Sequence, residues 1–95
     1  MKISLDKEDE LIVNLMNSIK PTDVAMFMLH ELQDKKRLYQ ENIVHEIKNK
    51  FGSDFYYINE NGNLAISKKV LNAFNKLKKQ YDIEWDGYDK SWILK

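Results

Sequence analysis

Six polar residues between positions 68 and 79 carry the clearest chemistry in this chain. Lys68, Lys69, Asn72, Asn75, Lys76 and Lys79 recur at three- and four-residue spacing, which puts them on one face if the segment is helical. Lysine ammonium groups in such a row suit phosphate contacts, and the carboxamides of Asn72 and Asn75 can reach base edges in a major groove. A solvated helix exterior has the same appearance. No arginine lies in the segment, and Arg37 is the only one in the chain. The bidentate fork that most often reads guanine is therefore missing from this face.

Catalysis finds less to work with. There is no cysteine, and the serines are Ser4, Ser18, Ser53, Ser67 and Ser91. Ser18 and Ser67 read as helix-end residues, Ser91 as a turn residue, and none sits in a nucleophile elbow. Three glycines do not make a phosphate-cradling loop. Asp82, Glu84, Asp86 and Asp89 are close in sequence, but they match no calcium-loop spacing. His30 and His45 fall on different helical segments, and two histidines do not fill a zinc site. Glu41 is four residues before His45, which a weak ion pair explains. We therefore expect no catalytic residue, no metal site and no small-molecule cofactor.

Aromatic side chains offer a second kind of surface. Nine of the eleven follow residue 50. Tyr56, Tyr88 and Trp92 are the expected exposed anchors for a protein partner, since Tyr and Trp are efficient at interfaces. Phe55, Phe74 and Trp85 are expected to fill the space between helices and a terminal hairpin. Leu11 and Leu15, with Ile12, Met16 and Ile19, form an apolar stripe that suits self-association.

The elements that position these groups follow from periodicity. An acidic, amphipathic helix is expected over 6–19, ended by Pro21. Thr22 is placed to cap a second helix reaching about Lys36, and a third runs from about Gln40 to Phe51, with Gly52 after it. The short link Arg37-Leu38-Tyr39 implies that these two helices pack at a sharp angle. Phe55-Tyr56-Tyr57-Ile58 is the strongest strand former, and Asn61-Gly62 is the best turn signal before Leu64-Ala65-Ile66. Either a short hairpin or an irregular loop fits there. Ser67 can cap a helix from Lys68 to about Gln80, with Val70, Leu71, Phe74, Leu77 and Tyr81 inside. Ile83/Trp85 and Trp92/Leu94 alternate as a hairpin that packs one face.

Composition limits the classes. The 95 residues are 43% apolar and 32% charged, with a formal net charge of zero. This suits one domain over 1–95 and excludes a disulfide scaffold. No uncharged apolar run is long enough to span a bilayer, and the acidic N-terminus does not resemble a signal peptide, so a cytoplasmic protein is expected. The zero net charge conceals an asymmetry. Residues 1–47 carry six basic and nine acidic groups, and residues 48–95 carry nine and six.

Helices followed by a hairpin, the last helix basic outside, give an α+β, winged-helix-like expectation. It has four helices, the one over 6–19 being an addition to a 22–94 core, and a short antiparallel C-terminal hairpin. Leu38-Tyr39 and Phe55-Tyr57 are each able to add a strand to that hairpin. Over 22–93 the chain also resembles a small bacterial and phage-associated domain family. The matching residues are Leu38-Tyr39-Gln40-Glu41, Ile47, Phe51-Gly52, Phe55-Tyr56-Tyr57, the segment Asn59-Glu60-Asn61-Gly62-Asn63-Leu64-Ala65-Ile66, Val70-Leu71, Phe74, Trp85 and Trp92. The resemblance implies one domain and no assigned activity. The expected function is a non-catalytic protein-interaction or dimerisation module, with DNA binding through helix 68–80 as the alternative.

Overall fold

A computed structural model describes residues 19–95. The elements are α1 (Pro21–Lys35), β1 (Arg37–Tyr39), α2 (Gln40–Phe51), a 3-10 turn (Ser53–Phe55), β2 (Tyr56–Ile58), β3 (Leu64–Ile66), α3 (Lys68–Lys78), β4 (Ile83–Asp86) and β5 (Ser91–Leu94).

Pro21 opens a helix here. It occupies the first helical position, where a backbone donor is not needed, and Lys20 before it is extended. The Asp23 carboxylate accepts the Lys20 N–H at 2.8 Å, so Thr22 lies inside α1 and is not its cap. Lys36 closes α1 in the left-handed region with φ 69°, its N–H donating to the Leu32 carbonyl. That reversal sends the chain straight into β1.

Two small antiparallel sheets follow. One has the order β1-β5-β4, with Leu38 opposite Trp92 and Trp92 opposite Trp85. The other is the β2–β3 hairpin alone. Its loop is organised by Asn59, whose Oδ1 accepts the N–H groups of Asn61 and Asn63, both at 3.0 Å. Gly62 supplies the positive φ of 80° that the turn requires. The hairpin reading of this segment is the one that holds.

The core unites α1 (Val24, Ala25, Met28, Leu29, Leu32), α2 (Ile43, Val44, Ile47), α3 (Val70, Phe74) and Leu38, Phe55, Ile66 and Trp92. Phe74 meets Trp92 edge-on at 5.1 Å, joining α3 to the larger sheet. α1 packs chiefly on α3 and touches α2 only lightly, because β1 intervenes and anchors the link to β5. The close α1–α2 packing expected from the short link does not occur.

The winged-helix-like expectation is corrected by these elements. Among the described residues there are three helices and two small antiparallel sheets, in an α+β arrangement, not four helices and one hairpin. Of the helix expected over 6–19, residues 6–18, with Leu11 and Leu15, lie outside the described residues. Leu38-Tyr39 does join the C-terminal strands, but Tyr56–Ile58 does not. The Asn59 loop folds it back onto β3, with which it pairs along one edge. No tight turn joins α2 to α3, since the second sheet lies between them.

Candidate nucleic-acid interface

The amphipathic pattern of α3 sorts its side chains as the spacing predicts, except that the helix ends at Lys78 and Tyr81, expected inside, lies beyond it and is 41% exposed. Val70 and Phe74 are buried, and Leu71, Ala73 and Leu77 are half-buried against the core. Lys68, Lys69, Asn72, Asn75, Lys76 and Lys79 are all exposed. The structure thus gathers all six residues on the outer side of one element. Lys79 retains helical backbone angles just beyond α3, so the face continues to it.

Tertiary packing adds to this face. Lys20, Pro21 and Thr22, at the start of α1, line an open groove of about 420 Å³ with Lys69, Asn72, Ala73, Lys76 and Leu77. Its floor is the methyl and isobutyl groups of Ala73 and Leu77, and three ammonium-bearing residues, Lys20, Lys69 and Lys76, stand around it. None of these lysines forms an ion pair among the described residues. Periodicity within α3 did not reveal Lys20, because its position depends on how α1 crosses α3. Local positive charge of this kind suits a phosphodiester backbone.

The one arginine serves elsewhere. Arg37 Nη1 donates to Ser91 Oγ at 2.9 Å and stands 3.4 Å from Asp89 Oδ2 and 3.5 Å from Asp86 Oδ2. It pins β1 to the β4–β5 turn and offsets two of that turn's acids. A second ion pair, Lys95 Nζ to Glu84 Oε2 at 2.9 Å, lies near the end of the same sheet. The hydrogen bond from Lys95 to Glu84, with that carboxylate's charge and a smaller contribution from Asp82, holds the Lys95 ammonium above the ordinary lysine range.

The aromatic expectations divide. Tyr88 is 95% exposed. Tyr56 is half-buried, with the Lys48 ammonium 5.9 Å from its ring centre. Trp92 is only 4% exposed, whereas Trp85 is 41% exposed, so the expected roles of the two tryptophans are exchanged. They face each other across the strands with ring centres 4.8 Å apart. β5 is the middle strand and its Trp is covered from both flanks; β4 is an edge strand and its Trp is not. Phe55 and Phe74 are buried, as the sequence predicts.

Tyr88 borders a second cleft of about 540 Å³, walled by Tyr39 and His45 near the start of α2 and by the Asn59–Asn63 loop. His30 and His45 are both exposed, on different helices. Among the described residues no three metal-ligating side chains come together, and no helix is long and apolar enough to cross a membrane.

Fold and surface together describe a small α+β domain with a lysine-rich helical face. The chain belongs to the family of unknown function DUF6953, whose model matches residues 20–94. That span agrees within two residues with the stretch 22–93 that carries the resemblance. No curated protein and no solved structure matches the chain.

Proposed function

We propose that this domain binds nucleic acid through the outer face of α3. The observation that carries the reading is the joint exposure of Lys68, Lys69, Asn72, Asn75, Lys76 and Lys79, extended by Lys20 across the groove. Lys69, Lys76 and Lys20 hold the phosphate backbone, while Asn72 and Asn75 lie closest to base edges. With Arg37 committed to Ser91, Asp86 and Asp89, contacts to the backbone dominate and sequence preference is low. A zero net charge does not prevent this, because the field is local to one face.

The test is fluorescence anisotropy with a labelled mixed-sequence duplex. With Lys20, Lys69 and Lys76 each neutralising one phosphate, the logarithmic salt slope is about −2.7, so affinity falls about 40-fold between ~50 and ~200 mM salt. Lys69→Glu with Lys76→Glu abolishes binding, and Tyr39→Ala with Tyr88→Ala leaves it unchanged. No binding of the wild-type chain at ~50 mM salt, where screening is weakest, refutes the reading.

A protein-interaction or dimerisation module is the second reading, supported by Tyr88, 95% exposed at the rim of the cleft it shares with Tyr39. Leu11 and Leu15 would add a self-association surface, but they lie outside the described residues. Here Tyr39→Ala with Tyr88→Ala removes partner capture or lowers the sedimentation-measured mass, and Lys69→Glu with Lys76→Glu does neither.

A further inference from the structure

We infer that the outer edge of β2 is a docking site for an extended peptide strand whose apolar centre is flanked by basic residues. The β2–β3 hydrogen bonds show which groups are free. Ser67 N–H donates to the Phe55 carbonyl at 3.0 Å, and Asn59 N–H donates to the Asn63 carbonyl at 2.8 Å. Bonded pairs alternate along an antiparallel ladder, so Tyr57 exchanges bonds with Ala65. Tyr56 and Ile58 therefore turn their N–H and C=O groups to the opposite edge, where no third strand among the described residues pairs with them.

That edge is open. β3 lies toward α2 with Ala65 and Ile66 buried, whereas Tyr57 is 46% and Ile58 61% exposed. Neither lysine nor proline interrupts Tyr56-Tyr57-Ile58, the devices that usually protect an edge. Two donors and two acceptors in a row are matched by another strand, not by a helix or a small anion.

Charge selects the occupant. Asp54 precedes β2 and Glu60 follows it; both are exposed and neither is in an ion pair among the described residues. A second copy pairing antiparallel about Tyr57 would bring Asp54 toward the copy's Glu60 twice, which like charges oppose. A heterologous strand with lysine or arginine at both ends meets a carboxylate at each. Lys48 does not reverse this preference, since its ammonium is engaged over the Tyr56 ring on the α2 side.

The experiment uses the full chain, isotope-labelled for NMR, and two six-residue probes, Lys-Thr-Val-Thr-Val-Lys and Glu-Thr-Val-Thr-Val-Glu. With the basic probe at saturation, hydrogen exchange of the Tyr56 and Ile58 amides slows at least ~10-fold, while that of Tyr57, already bonded to Ala65, does not change. The acidic probe binds about 5- to 10-fold more weakly at ~50 mM salt. Asp54→Lys with Glu60→Lys, both outside the strand, reverses that preference. Equal binding of the two probes, protection at other amides, no binding at ~1 mM probe, or dimerisation of the chain through this edge overturns the inference.

Discussion

Replacing Arg37 by methionine removes the clamp between β1 and the β4–β5 turn while keeping a side chain of similar length. Ser91 is fully buried, and its hydroxyl accepts from Arg37 Nη1 at 2.9 Å. Leaving a buried hydroxyl without that partner costs about 1–3 kcal/mol. The pairs with Asp86 and Asp89, at 3.5 and 3.4 Å, are part-exposed and share one nitrogen, so together they contribute only about 0.5–1 kcal/mol. Arg37→Met is therefore expected to cost about 2–3 kcal/mol, which lowers Tm by roughly 10–20 °C in a domain of this size. Urea unfolding followed by tryptophan fluorescence measures it, with an unchanged m-value showing that the same surface is exposed. Ser91→Ala added to Arg37→Met removes the orphaned hydroxyl. The double variant should then be about 1 kcal/mol or more better than the sum of the singles. Strict additivity would refute the claim that the hydroxyl, rather than the ion pairs, carries most of the cost.

Ser67→Ala is expected to be neutral or to raise stability by up to about 1 kcal/mol in the same assay, because the Ser67 hydroxyl is buried with no partner among the described residues and makes no cap bond. A loss of about 1 kcal/mol, the usual result of deleting a serine cap, would show that it does cap α3. Lys95 should titrate above the ordinary lysine value in an NMR titration, and Glu84→Gln should bring it down. Since the folded pKa is raised, the contribution of this pair to stability is complete below the ordinary lysine value and is lost as pH rises through the folded one.

Local patterns were the legible part of this fold. The bounds of α2, the start of α3 after Ser67 and the terminal hairpin all follow from periodicity and turn chemistry, whereas the register that pairs Trp85 with Trp92 does not. What was not legible depends on neighbours distant in sequence. Pro21 reads as a breaker until Asp23 is seen capping Lys20 from inside the helix. Alternation puts both tryptophans on one face but does not say which strand is central, and so does not distinguish the exposed Trp85 from the buried Trp92. The lysine face of α3 was visible as a stripe; the addition of Lys20 needed the crossing of α1. The role of Arg37 needed the pairing of β1 with β5, and a lone arginine in a neutral chain does not announce it.

That same pairing bears on the order in which the molecule assembles. β5 lies between β1 and β4, although it is the last of the three in the chain. Arg37 and Ser91 are 54 residues apart, and closing a loop of that length costs about 3.5 kcal/mol in chain entropy before any contact offsets it. Helices α1 and α3 can meet first through their apolar faces, but Leu38 and Phe74 stay uncovered until Trp92 arrives. A polypeptide emerging from a ribosome therefore holds an unfinished core until β5 has emerged, and the closing step follows the helix contacts and is slower than they are.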